Sequence, residues 1–259
     1  MTEEKWKTAI TEIEPNKIKL RGYPLDELMG NISFAEAVYL ALRGELPTPE
    51  VGKLIDAILV SSIDHGVTPP SALAAINSAS TGAPLNAAVA SGILAINKYH
   101  GGAIEACMEM LQAGKSQVDS GNSAQEAAKN LVEEYRNAKK RMSGFGHRIH
   151  TDDPRTKRLF ELAEEAGQSG TFIELIRSIQ SELEISAGKK LPINVDGAIA
   201  AVLCELDFWT NLANAFFIMA RVPGLVAHAA EEQERQRPMR KIDPANHEYD
   251  GPSERHLDD

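Results

Sequence analysis

The chain has 259 residues, 43% of them hydrophobic and 25% charged. That is enough to bury a core as one domain or as a large lobe with a smaller one, and it excludes global disorder, leaving only the polar stretch from Asn246 onward as a candidate for looseness. The formal charge of −10, with no long block of Lys or Arg, excludes nucleic acid as the expected partner; an anionic small molecule stays open, since a few placed arginines outweigh a global charge screened beyond ~8 Å.

The opening Met1-Thr2-Glu3-Glu4-Lys5-Trp6 lacks the apolar core of a signal peptide. No uninterrupted apolar run approaches the ~20 residues of a membrane span, so the expectation is a cytoplasmic protein without membrane contact. Residues 1–23 set Ile10, Ile13, Ile18 and Leu20 among polar neighbours, a pattern open to a short helix or a short strand pair. The helical signal then becomes steady. Ser33 predicts an N-cap with Glu36 as its capping-box partner, and Gly44 a stop. Pro47 marks the start of the next element, and apolar Val51, Leu54, Ile55, Ile58 and Leu59 predict a helix over 49–62.

Segments 71–80 and 84–98 are dense in Ala, Ser and Gly, which lets helix backbones approach closely; they predict a helix–helix or subunit interface. Further helical patterns occupy 103–112, 124–139, 156–165, 172–187, 195–205 and 211–220, with no internal repeat. The expected fold class is all-α. Cys107 and Cys204 lie in apolar helical surroundings and read as buried free thiols rather than one disulfide.

Five polar constellations stand out. Asp64-His65-Gly66 follows an apolar helix, where a His complementing the helix dipole and a Gly cap account for it in isolation. His100-Gly101-Gly102 breaks one helix and starts another, putting His100 near a helix N-terminus, whose positive potential keeps an imidazole neutral and suits it to polarise a carbonyl oxygen. Ser143-Gly144-Phe145-Gly146-His147-Arg148, followed by Asp153-Pro154-Arg155, joins glycines that admit a ligand near the backbone to a donor pair and an anion clamp. Asp196, in Asn194-Val195-Asp196-Gly197, reads by spacing as an N-cap carboxylate, with a general base as the rival. Arg221 before Val222-Pro223-Gly224 reads as a helix-ending cation, and Arg237 before Pro238 adds a second arginine suited to a polycarboxylate.

In this order the segments resemble citrate synthase-like proteins over nearly the whole chain, from Phe34-Ala35-Glu36-Ala37 to the final Arg237-Pro238. The resemblance implies a large helical domain (1–100 with 201–259) and a smaller inserted CoA-side helical domain (101–200). It implies that His100 bonds the thioester carbonyl of acetyl-CoA, that Asp196 exchanges the methyl proton, and that His147 faces the oxaloacetate carbonyl. It assigns His65, Arg155, Arg221 and Arg237 to substrate carboxylates, Arg237 from its own or a second subunit, and Ser143, Gly144, Phe145 and Gly146 to coenzyme A.

The chain is short for a synthase, and Asp64-His65-Gly66, Val195-Asp196-Gly197 and Tyr249-Asp250-Gly251-Pro252 look more like citryl-CoA lyase and the citryl-CoA-cleaving module of ATP-citrate lyase. The implied reaction is cleavage of citryl-CoA to acetyl-CoA and oxaloacetate, with no permanently bound cofactor, coenzyme A entering as part of substrate and product, and no metal. The alternatives are citrate synthase-type condensation, a catalytically silent helical partner subunit, or a metalloenzyme using His65, His100, His147 and Asp196. A homodimer or higher homo-oligomer, coupled to a separate citryl-CoA synthetase, completes the expectation.

Overall fold

The computed structural model describes residues 6–146 and 152–240. His147, Arg148 and the Tyr249-to-Pro252 motif lie outside the described residues, as does the stretch from Asn246. The chain opens with β1 (Thr11–Glu14), β2 (Lys17–Leu20) and β3 (Tyr23–Pro24), which form an antiparallel sheet in that order. The strand alternative for this segment therefore holds. Asn16 at φ 61°, and Arg21 and Gly22 at φ 51° and 91°, supply the left-handed residues that two-residue hairpin turns require.

Among the described residues eleven α-helices follow: α1 (Leu25–Leu28), α2 (Phe34–Arg43), α3 (Pro49–Ser61), α4 (Pro70–Ser80), α5 (Leu85–Leu94), α6 (Ala103–Asp119), α7 (Ala124–Asn137), α8 (Pro154–Glu165), α9 (Thr171–Ala187), α10 (Val195–Glu205) and α11 (Ala213–Arg235). The all-α expectation thus holds apart from the small sheet. Local chemistry sets many ends. Ser33 and Glu36 form the expected capping box on α2, which Gly44 closes at φ 88°. Thr48 caps α3 and Pro49 occupies its first turn, so the helix starts at Pro49 and not at Pro47.

The main core joins α3, α6, α7, α8, α9 and α10 with the start of α11. Helix α10 runs through its centre and is buried on every side from Gly197 to Cys204, which explains a sequence apolar all round. Each large side chain buried there, such as Ile199 or Leu203, contributes ~1.5–3 kcal/mol. Cys107 and Cys204 are buried free thiols, as expected. Burial pushes both upward, Cys204 to about 12, so neither is a ready thiolate.

The small-residue helices α4 and α5 pack on each other and on α11. Ser91 Oγ donates to the Ala74 carbonyl at 3.0 Å, and a Cβ on Gly92 would stand 2.9 Å from the Ser71 carbonyl. Helix α5 ends at Leu94, short of the expected residue 98, because residues 95–102 form the tight turn that carries His100.

Two sequence expectations about α11 are corrected. The helix does not stop near Ala220 but runs on through Pro223 to Arg235, which puts Arg221 in mid-helix rather than at a C-terminus. Gly224 has a packing role there: a Cβ would lie 2.4 Å from the Ile63 carbonyl, so only glycine admits that loop so close. With the 3-10 turn before it, α11 also has the length of a membrane span, 26 residues, and an 18-residue stretch with a mean hydropathy of 1.3. It is nonetheless packed among α3, α4, α5 and α6 and carries the buried Arg221, the position of a core helix.

Candidate active site

The site is built where α3 ends. A helix C-terminus presents unpaired carbonyls and a partial negative charge. Here they hold two arginines: Arg221 Nε donates to the Ser62 carbonyl at 3.0 Å, and Arg155 Nη1 to the Ser61 carbonyl at 3.4 Å. Arg155 sits in the first turn of α8, gripped by Asp153, the N-cap. Its Nε donates to Asp153 Oδ1 at 3.0 Å and its Nη2 to Oδ2 at 2.8 Å, while Oδ1 also accepts the Arg155 backbone N–H. Asp153 is 0% exposed while the Arg155 side chain keeps 29% of its surface, so a buried carboxylate holds a part-buried guanidinium in a bidentate grip.

Arg221 is 4% exposed and lies over the Phe217 ring, Cζ 4.9 Å from its centroid. Among the described residues its Nη1 has no hydrogen-bond partner. A buried cationic N–H without an acceptor costs about 1–3 kcal/mol, and an anionic ligand would remove that cost. Burial draws the Arg221 pKa down, and the charges of Asp64 and Asp196 hold it up.

His100 also packs on Phe217, the two rings near perpendicular with centroids 5.6 Å apart. Its turn is fixed by paired backbone bonds with Asn97, 2.8 and 2.9 Å, before α6 opens at Gly102. Both glycines are required. A Cβ on Gly101 would strike Ile96 at 2.7 Å, and one on Gly102 the Lys98 carbonyl at 2.7 Å. The His100 Nε2 lies 2.8 Å from the hydroxyl of Ser71, a fully buried residue of α4. Burial lowers the His100 pKa, helped by the nearby positive charges of Arg221 and His65. Neutrality was expected from the helix N-terminus; the dominant cause is desolvation.

Asp196 is not the cap of α10. Asn194 caps it, its Oδ1 accepting the Gly197 N–H at 3.1 Å, which leaves the Asp196 carboxylate unneeded for capping. Burial raises the Asp196 pKa, against the pull of Arg155 and Arg221 and with a further push from Asp153. A raised carboxylic acid beside two arginines and a depressed histidine is the pattern of groups tuned for proton transfer.

The glycine loop is strapped to the start of α10. Gly146 N–H donates to the Pro192 carbonyl at 2.7 Å, Asn194 N–H to the Gly144 carbonyl at 3.0 Å, and Asn194 Nδ2 to the Gly146 carbonyl at 3.0 Å; Phe145 bridges to Ile193. Ser143, Gly144, Phe145 and Gly146 are therefore held beside Asp196 by the segment that caps its helix.

The fold thus links these groups in a chain: His65 and Arg221 act on His100, while Arg155 and Arg221 act on each other and on Asp196. His65 is exposed, on the loop after α3. Arg237 does not join them: it is exposed beyond the end of α11, whose run from Arg221 to Arg235 alone covers roughly 21 Å at 1.5 Å per residue. Ser71, Asn194 and Asp153 support the site; Asn194 and Asp153 stand in the sequence motifs without a role of their own there, and Ser71 stands in none. Asn194 carried a signal, an Asn directly before an apolar helix; Ser71, one small residue in an Ala/Ser segment, carried none. Among the described residues no group of three or more His, Cys, Asp or Glu side chains is gathered to hold a metal.

The model of the citrate synthase C-terminal domain family matches residues 47–242, and the chain belongs to the citrate synthase family. It is 31% identical over 202 residues to citrate synthase of Haloferax volcanii, covering 77% of this chain and 51% of that protein. With glyoxysomal citrate synthase of Cucurbita maxima it shares 28% identity over 227 residues, 83% of this chain and 42% of the other. The chain thus spans about half the length of these curated relatives. Among solved structures it is similar to citryl-CoA lyase from Hydrogenobacter thermophilus, with TM-score 0.89, 44% identity and 97% of both chains covered. ATP citrate lyase from Methanothrix soehngenii shares the fold, with TM-score 0.82 and 21% identity over 98% of this chain and 43% of that one.

Proposed function

We propose that the chain is a citryl-CoA lyase, cleaving citryl-CoA to acetyl-CoA and oxaloacetate. The observation that carries this is the likeness to the Hydrogenobacter thermophilus lyase, 44% identity with a TM-score of 0.89 over 97% of both chains, against 28–31% identity to the two curated synthases, of which the chain covers about half. In this reading Arg155, Arg221 and His65 hold the carboxylates of the citryl group. Arg221 is suited to this by its unpaired buried Nη1, and Arg155 by its rigid clamp on Asp153. His147, on the family resemblance, takes the proton of the citryl hydroxyl as the carbon–carbon bond breaks.

The electron pair of that bond passes to the departing acetyl-CoA as an enolate. Neutral His100, steadied by Ser71, donates a hydrogen bond to the enolate oxygen. Asp196, whose raised pKa favours the protonated form, delivers the proton that completes the methyl group. Residues 143–146 take the coenzyme A, in a smaller lobe spanning 101–200, and Arg237 is suited to completing the site of a second copy.

Citrate synthase-type chemistry is the second reading, favoured by the 28–31% identity to citrate synthases. The fate of citryl-CoA separates the two: a lyase releases acetyl-CoA and oxaloacetate, whereas a synthase hydrolyses the thioester to citrate and free coenzyme A.

A further inference from the structure

We propose that Asp64 and His228 are a positioning pair that locks the loop after α3 onto α11 and so fixes His65 for substrate. This rests on the reading of His65 as a carboxylate-binding group.

Residues 62–66 lack helix or strand, and Gly66 adopts φ 77°. The loop is held from one side of α11 by residues at i, i+3 and i+7, which share a helix face. Arg221 Nε donates to the Ser62 carbonyl at 3.0 Å. Gly224 makes room for the Ile63 carbonyl, which would lie 2.4 Å from a Cβ there. The His228 Nε2 then meets Asp64 Oδ1 at 2.9 Å.

The other Asp64 oxygen accepts the Gly66 N–H at 2.8 Å, so one carboxylate is bonded to α11 and to the residue beyond His65. The backbone of His65 is bracketed between these two points. Burial raises the Asp64 pKa, but the bonds from Gly66, His228 and the His65 backbone outweigh it and hold the carboxyl below its ordinary value. Of the three contacts, the His228 bond is the one made by a side chain otherwise unused in the site. Its loss would free His65 while leaving Arg221, on the rigid helix, in place.

The test compares His228→Ala, His228→Gln and His65→Ala in the full chain by hydrogen exchange over residues 62–66 and by calorimetric binding of oxaloacetate. His228→Ala is expected to speed exchange in that loop at least tenfold and weaken oxaloacetate about tenfold. His228→Gln, whose amide N–H can still reach Asp64, should recover most of both. Unchanged exchange in His228→Ala, or equal damage in the Ala and Gln variants, would overturn the proposal. Weakened oxaloacetate in His65→Ala but not in His228→Ala would overturn the pair alone. Unchanged binding in His65→Ala, or no binding by the wild type, would instead remove the reading of His65 and the positioning role with it.

Discussion

Gly197 faces the backbone of Gly144 so closely that a Cβ on Gly197 would lie 2.4 Å from the Gly144 carbonyl oxygen. Contact of this kind is backbone against backbone, with no flexible side chain to yield. Gly197→Ala is therefore expected to push residues 143–146 off the start of α10 and weaken coenzyme A by more than tenfold in calorimetry. Gly188→Ala is the matched control: its φ of 62° makes it cost ~1 kcal/mol in stability, but open space surrounds it and coenzyme A affinity should hold. Equal coenzyme A affinity in both variants would contradict the assignment of this loop.

The Ser71–His100 bond sets a second expectation. Ser71→Ala leaves a half-buried imidazole nitrogen without its partner, at ~1–3 kcal/mol, and should lower kcat about tenfold with little change in KM. If His100 donates to the enolate as proposed, His100→Ala should cost about 10²–10³ in kcat.

The lowered His100 pKa fixes the sign of a pH effect. Because the folded chain holds this proton less tightly than the unfolded chain, the unfolded state binds more protons between the depressed value and 6.5. His100 therefore contributes stability that is present above pH 6.5 and lost as pH falls through its folded pKa. Denaturant titrations of wild type and His100→Gln from pH 7.5 to 5 should show a steeper acid loss in the wild type. Parallel curves would contradict it.

Asp196 runs the other way. Its pKa is raised by burial, so relative to an exposed carboxylate it favours folding below pH 3.8 and penalises it once pH rises past the folded value. Asp196→Asn is thus expected to raise the melting temperature at pH 7, with the gain shrinking toward pH 4, while lowering kcat by at least ~10²-fold. A variant both inactive and less stable at pH 7 would show that the two arginines need the charge more than burial opposes it.

Asp153 holds Arg155 by two hydrogen bonds and is itself buried, so Asp153→Asn strands a guanidinium. A loss of about 3 kcal/mol in unfolding free energy is expected, with KM for the carboxylate substrate raised about tenfold. Normal stability and KM would mean that the pair does not position Arg155.

Much of this was legible in the sequence because it was written locally. Ser33 with Glu36, the Pro49 start and the apolar stretch of α10 each announce their element through neighbours within one turn. Positions that depend on distant partners were not legible. Val222-Pro223-Gly224 reads as a helix end, yet α11 continues through it, and the glycine serves the close approach of the Ile63 carbonyl instead. Asp196 reads as a cap until Asn194 is seen to do that work. Ser71 gains its role from a histidine distant in the chain, and His228 from a carboxylate on another element, neither of which periodicity can reveal.

The central claim is carbon–carbon cleavage, and the most direct measurement is the ratio of oxaloacetate to free thiol formed from (3S)-citryl-CoA. Oxaloacetate is followed by NADH oxidation through malate dehydrogenase and free coenzyme A by a thiol reagent in parallel. The account predicts rapid oxaloacetate with little thiol. Thiol and citrate without oxaloacetate would contradict it and place the chain with the synthases.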